Sequence, residues 1–377
     1  MLVAGVDPYA ATIGRQHATV MGRDEQPDNA EVIGADRSSA RDVARLAGVS
    51  TATVSRALNL PRAVDPATLL RVQAAIDKLR YVPHGAARAL RSQRSAMIGA
   101  VVPSFDYALY ARTTSALQRE ADARGFAVVL AAHHYDLATE VRVTQQMVQH
   151  GVDAFAFVGL DHDRALYSLL EHYGRPYVLT WGVDASGLHP SIGFDNRAAT
   201  YAMTQHLLEL GHRRFALISA ATAGNDRSRE RGAGVRAALA AAGLTLPDDA
   251  VRYGPIALES GTAAMHELLD ARVRPTAVIA TNDVFAVGAM LACREAGVRI
   301  PDDVSITGVD NTDLGATQTP GLTSIRTPIV DVGRAAARQL LDRLEGRAAE
   351  LQQLLPFELV RRGSTGPPPG AARRKRR

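Results

Sequence analysis

Residues 48–59 read GVSTATVSRALN and are led by SSARDVARLA at 38–47. Ten of the twelve residues at 48–59 are small, hydroxylated or aliphatic, and Arg56 alone is charged. A core helix would carry more bulk, and a linker more Gly and Pro. Ser39 stands where it caps a helix with Val43, Ala44 and Leu46 toward one side. Gly48 supplies a turn, Ser50 caps the next helix, and TATVSRAL presents Val54, Ala57 and Leu58 inward. Thr51, Ala52, Ser55 and Arg56 are left outside. Two short helices around a tight glycine turn predict a helix-turn-helix, although an ordinary helical hairpin fits the same pattern. Small side chains let the second helix sit deep in a DNA major groove, where hydroxyls and Arg reach phosphates and base edges.

Working outward, VDPATLLRVQAAIDKLRYVP opens with Asp65 as a cap and Pro66 in the first turn. Leu69, Val72, Ile76 and Leu79 follow at helical spacing. HGAARALRSQRS (84–95) is too short and exposed to be a stable helix alone, so it folds only against a partner. Charge is distributed unevenly. Residues 36–94 hold eleven basic against four acidic side chains, and 361–377 hold seven basic and no acidic ones. Residues 1–35 carry −3, which leaves −7 on residues 95–360 of a chain with net charge +4. A basic head on an acidic body points to a polyanion partner for the head.

ARDVARLAGVSTATVSRALN, then RYVPHGAARALRS, then IGAVVPSF together resemble the LacI/GalR family of bacterial transcriptional regulators. The likeness runs from about residue 38 to LVRRGST near 365. It implies that the second helix of the head reads a double-stranded operator. Thr51 and Ala52 match the pair that sets base preference, and Arg56 matches a base or phosphate contact. Thr53, Ser55 and Asn59 match phosphate-contacting positions, and the cap residue Ser50 is counted with the DNA-binding residues. Both short residues of the pair favour methyl contacts over bidentate readout. The likeness also implies a hinge helix that forms on DNA. Leu90 matches a leucine that two protomers of a homodimer wedge into the minor groove, with Arg88 and Arg91 flanking it. His84 replaces the usual Asn.

From residue 95 the chain alternates. The apolar runs MIGAVV, FAVVLAA, AFAFVGL and YVLTW are separated by amphipathic helices, and the pattern repeats with RFALIS, AVIATN and VSITGVD. This predicts two doubly wound parallel-sheet lobes with a ligand cleft near the strand carboxyl ends. The resemblance implies a periplasmic-binding-protein-like body whose chain crosses between lobes three times. It also implies a small-molecule effector, with a sugar the favoured class. Asp310, Arg231 and Asn282 match effector ligands. Trp181, the only tryptophan, either stacks on a sugar or simply packs. Ile256 takes a position often aromatic in the family, and the loop PSFDYALY offers Asp106 and Tyr110. Asp195 and Asn196, where the first lobe hands over to the second, read first as a helix N-cap, with effector contact or interlobe hydrogen bonding as the alternative.

No GxSxG elbow, P-loop or HExxH motif occurs, so no enzyme, cofactor or metal is expected. His133 and His134 read as a surface pair. The body alone would also suit a solute-binding protein or a sugar-metabolising enzyme, but neither explains the head. The single Cys293 reads as a buried small hydrophobe and, with no secretory or membrane-spanning signal, suits the cytoplasm. The expected organisation is an extension without a motif (1–37), a DNA-binding head (38–83), a hinge (84–95), a two-lobed body (96–362) and a disordered basic tail (363–377). The extension is a disordered arm or reflects a start assigned too far upstream.

Overall fold

The computed structural model describes residues 38–82 and 94–370. The chain divides between residues 84 and 85 into a helical head and a larger body. His84, Arg88, Leu90 and Arg91 lie outside the described residues, as do residues 1–37 and 371–377.

In the head, α1 (Ala40–Ala47) starts at a reciprocal cap: Ser39 accepts from the Asp42 backbone N–H, and Asp42 accepts from that of Ser39. Gly48 ends α1 at φ 66, a left-handed conformation that glycine adopts without a Cβ penalty. Ser50 caps α2 (Thr51–Asn59), and Asp65 with Pro66 starts α3 (Pro66–Leu79). Val43, Ala44, Ala47, Val54, Ala57, Val72 and Ala75 form the core, with Leu69, Ile76 and Leu79 packed against it.

Two inward assignments change. Leu46 is 45% and Leu58 37% exposed. At 100° per residue the inner arc of α1 runs through 43, 47 and 44, and Leu46 falls about 60° outside it. Leu58 sits in the last turn of α2, where the small Ala57 supplies the core contact instead.

The first lobe of the body contains β1 (Met97–Val102), α4 (Ala108–Asp122), β2 (Ala127–Ala132), α5 (Leu137–Gln149) and β3 (Ala154–Val158). It continues through α6 (Arg164–His172), β4 (Tyr177–Thr180) and β5 (Ser191–Gly193). The second lobe contains α7 (Asn196–Glu209), β6 (Phe215–Ser219), α8 (Asp226–Ala241), β7 (Val251–Tyr253), α9 (Leu258–Asp270) and β8 (Ala277–Ala280). It is completed by α10 (Asp283–Glu295), β9 (Ser305–Asp310), α11 (Asp313–Ala316) and β10 (Thr323–Arg326). The chain then returns to lobe 1 as α12 (Ile329–Leu344) and β11 (Gln352–Leu354), and crosses back as β12 (Glu358–Val360). The sheet orders are β11-β5-β4-β3-β1-β2 and β12-β10-β9-β8-β6-β7, parallel except for β12 against β10.

Three crossings therefore join the lobes, after β5, β10 and β11. The return of α12 has a hydrophobic cause. Its Ala336, Ala337, Leu340 and Leu341 pack with Ile98, Leu117, Ala154 and Val178 of lobe 1, and each buried Leu or Ile contributes roughly 1.5–3 kcal/mol.

Cys293 is buried, as expected, and burial pushes its thiol up to about 12. The expected free tail does not begin at 363. Ser364 is fully buried. Its Oγ donates to the Ile306 carbonyl at 2.6 Å and accepts from the Thr323 N–H at 2.8 Å, while the Gly366 N–H donates to Ser305 Oγ at 3.0 Å. These bonds satisfy polar groups of lobe 2 that would otherwise be buried without partners. Among the described residues no helix is long and apolar enough to cross a membrane.

Candidate functional sites, a helix face and a cleft

On the head, α2 exposes Thr51, Ala52, Arg56 and Asn59. Ser50 Oγ accepts from the Thr53 N–H at 3.1 Å and lies 2.9 Å from Thr53 Oγ1, so both hydroxyls gather at the start of the helix. Asn59 Nδ2 donates to the Ser55 carbonyl at 2.8 Å. Among the described residues Arg56 has no ion-pair partner. The outer face is thus short-chained at 51, 52 and 55, with one guanidinium a turn further on. That relief lets backbone approach a groove while Arg reaches past it.

The cleft lies between the lobes and takes its lining from the strand carboxyl ends. Tyr107 and Tyr110 follow β1, Tyr135 follows β2 and Trp181 follows β4. From lobe 2 come Asn225, Arg227, Ser228 and Arg231 after β6, Ile256 after β7, and Thr281 with Asn282 after β8. The lobes are closed: the space left holds the centres of only one or two waters, about 20 Å³.

Across this gap the Tyr107 hydroxyl donates to Asp310 Oδ2. Arg231 stands 3.7 Å from Asp310 Oδ1, and donates to Asn196 Oδ1 at 2.8 Å and to the Thr281 carbonyl at 2.6 Å. Asn196 Nδ2 reaches back to the Trp181 carbonyl at 2.8 Å. Tyr110 meets Trp181 edge-on at 5.1 Å and shares a 3.1 Å hydroxyl contact with Tyr135. Arg227 presses against Gly159, where a Cβ would come within 2.1 Å of its Nη1.

Trp181 and Asp310 adopt φ of 72 and 112, outside the regions ordinary residues favour. Such backbone costs about 1–3 kcal/mol per residue and is kept where a site needs its aim. Asp283 secures the turn after Asp310, accepting from the Thr312 N–H at 2.6 Å and from Ser324 Oγ at 2.6 Å. Burial pushes the Asp310 carboxyl up to about 7, against the pull of Arg231; Asp283 raises it further and the Tyr107 hydrogen bond lowers it. Two buried polar atoms here have no hydrogen-bond partner, Trp181 Nε1 and Asp310 Oδ1. Together they offer one donor and one acceptor to a ligand.

Of the residues singled out in the sequence, Tyr110, Trp181, Arg231, Ile256 and Asn282 line the cleft, and Asp310 reaches it through Tyr107 and Arg231. Asn282 also caps α10, accepting from the Phe285 N–H at 2.9 Å. Asp106 does not join them. Its exposed carboxylate accepts from Ser104 Oγ at 2.9 Å, and its neighbour Tyr107 turns inward instead. Asp195 caps α7, and Asn196 takes the alternative role, buried and bonded to Arg231 of lobe 2 and Trp181 of lobe 1. The expected surface pair of histidines also divides, with His133 buried and His134 exposed. Tyr107, Tyr135 and Arg227 were not singled out. Their signal was position: each follows a strand at its carboxyl end.

Residues 39–84 match the family profile described as bacterial regulatory proteins, lacI family, and residues 204–365 match that of a periplasmic binding protein-like domain. The chain is 33% identical over 316 residues to the HTH-type transcriptional repressor PurR of Erwinia tasmaniensis, covering 83% of this chain and 92% of that one. Its fold matches the lac repressor dimer bound to operator and the anti-inducer ONPF, with TM-score 0.78 and 28% identity, over 87% of this chain and 99% of that one. It also matches the transcriptional regulator CelR in complex with cellobiose, with TM-score 0.65 and 32% identity, over 87% of this chain and all of the other.

Proposed function

Because this chain belongs to the LacI family of bacterial transcriptional regulators, we propose that it is a cytoplasmic repressor whose two-lobed body senses a small polar effector. It binds a pseudo-palindromic operator as a homodimer. Thr51 and Ala52 meet base edges, Arg56 meets a base or phosphate, and Ser50, Thr53, Ser55 and Asn59 hold the backbone. The proposed hinge, with Leu90 as wedge and His84, Arg88 and Arg91 beside it, completes the contact by bending the central step, at a cost of a few kcal/mol.

The observation that carries the effector reading is the pair of orphaned cleft atoms, Trp181 Nε1 and Asp310 Oδ1. Sugar hydroxyls serve them, one accepting from the indole N–H and another donating to the carboxylate. The apolar face of the sugar ring meets Tyr107, Tyr110 and Trp181. The cellobiose complex of the CelR relative supports that class. A planar nitrogen heterocycle is the second reading, favoured by the same rings, which would stack on it as readily.

Fluorescence anisotropy on promoter fragments, run with carbohydrate and nucleobase panels, tests both. A true effector changes operator affinity by roughly 5- to 150-fold, which is about 1–3 kcal/mol of coupling. The response vanishes in Asp310→Ala. Equal affinity for promoter and random DNA with every compound would overturn the reading.

A further inference from the structure

The cleft is chemically unlike at its two ends. At one end Asp310 takes the Tyr107 hydroxyl, with Asp283 close enough to act on its charge. At the other end the first turn of α8 brings Arg227 against Gly159 of lobe 1. The rings of Tyr107 and Tyr110, 5.4 Å apart, lie between, and the Tyr110 hydroxyl meets that of Tyr135 beside Arg227. The orphaned atoms of Trp181 and Asp310 are met by hydroxyls, and neither accounts for a buried guanidinium.

Arg227 is 5% exposed and lines the cleft. Burial pulls its guanidinium down, yet Asp226, Tyr110 and Tyr135 hold it above its ordinary value, so it stays charged. Its Nη1 donates to Asp226 Oδ1 at 2.6 Å, and among the described residues Asp226 is its only ion-pair partner. That carboxylate has a second source of stabilisation. Asp226 is the first residue of α8, where the helix N-terminus favours negative charge. A fork with five donors is therefore left under-used inside the cleft. Arg231 is placed differently. Its Nε and Nη1 are bound to Asn196 and the Thr281 carbonyl, and its Nη2 faces Asp310 at 3.7 Å.

We propose that Arg227 selects the charge of the effector: the ligand is a sugar acid, with its carboxylate on Arg227 and its hydroxyls toward Asp310 and Trp181. A neutral hydroxyl brings Arg227 one acceptor and no charge. A carboxylate accepts two parallel N–H bonds from a guanidinium. A phosphate ester carries a second charge and a third oxygen, more than one guanidinium shared with Asp226 can meet. At the Asp310 end the ligand carboxylate would meet a like charge, so the ligand enters in one orientation. This rests on the effector-cleft reading and narrows it from a polar sugar to an acidic one.

Trp181, the sole tryptophan, lines the cleft and reports binding without DNA. Its fluorescence is titrated at one neutral pH with glucose, galactose and mannose frames. Each frame is offered as neutral sugar, hexuronate, hexonate and terminal phosphate ester. At least one acid should bind about tenfold or more tighter than its neutral parent. Arg227→Met should weaken that acid by about tenfold or more and leave the neutral sugar within about twofold. An arginine that only props the lobes together would weaken both alike and keep their ratio. If Arg227→Met fails to fold by circular dichroism, Asp226→Asn with Arg227→Gln, which leaves no buried charge unpaired, decides in its place. A neutral sugar or a phosphate ester as the tightest ligand, no binding by any acid, or an acid preference that survives the substitution would each overturn the proposal. The two readings fail separately. A neutral ligand that changes operator affinity overturns this one alone, and an acid that binds through Arg227 without changing operator affinity overturns the effector reading alone.

Discussion

Replacing Asp310 with Asn should stabilise the ligand-free protein at pH 8 and not at pH 4. The Asp310 carboxyl has an ordinary value of 3.8 and is pushed up to about 7 in the fold, first by burial. The folded state therefore binds a proton that the unfolded state has already lost between those values. The stability linked to that proton is fully present below about 3.8 and is lost as pH rises through about 7. Three pKa units would correspond to about 4 kcal/mol, at 1.36 kcal/mol per unit. Opening of the cleft relieves part of this by hydrating the carboxylate, so about 1–3 kcal/mol should be visible. For a body of this size that is roughly 2–4 °C in Tm per kcal/mol.

The assay is thermal unfolding of wild type and Asp310→Asn across that pH range, without ligand. The difference should grow in the variant's favour up to about pH 7 and then level off. The same variant should lose the effector response, because a carboxylate at a recognition site costs stability that the ligand recovers. A constant Tm difference between pH 4 and 8, or a wild type that gains on the variant as pH rises, would refute the reasoning.

In the head, Arg56→Ala should weaken DNA binding. If Arg56 meets a phosphate, the slope of log affinity against log salt falls by about 1; if it meets a base, specificity relaxes instead. Leu90→Ala should weaken operator binding while the Tm of the body stays unchanged, and unaltered affinity would remove the wedge. Val54→Ala removes two methyl groups from a fully buried side chain of the small head core and should cost about 1–3 kcal/mol, read as a lower melting transition of the head by circular dichroism.

The sequence by itself determined the features whose causes are local. Ser39, Gly48, Ser50 and Asp65 start and stop helices through atoms within a few residues of themselves, so the helix-turn-helix was legible without any partner. Strand and helix periodicity likewise sufficed for two parallel lobes, and the carboxyl-end rule placed most of the cleft. Leu46 and Leu58 were misplaced because an eight- or nine-residue helix leaves the edge of its apolar arc to whatever packs beside it.

Only the tertiary structure decided which side chains meet. Tyr107 and Asp310 are separated by 203 positions, and Arg231 and Asn196 by 35. Nothing near Asp106 in the chain says that its neighbour Tyr107 turns inward instead. The tail from 363 to 366 is held by lobe 2 groups some 40 to 60 positions earlier, and Glu140 in helix α5 meets His162 in a loop 22 positions later. A local pattern specifies which conformation a segment prefers. The partner of a buried polar atom is set by where folding brings distant segments together, and by the free-energy cost of leaving that atom unpaired.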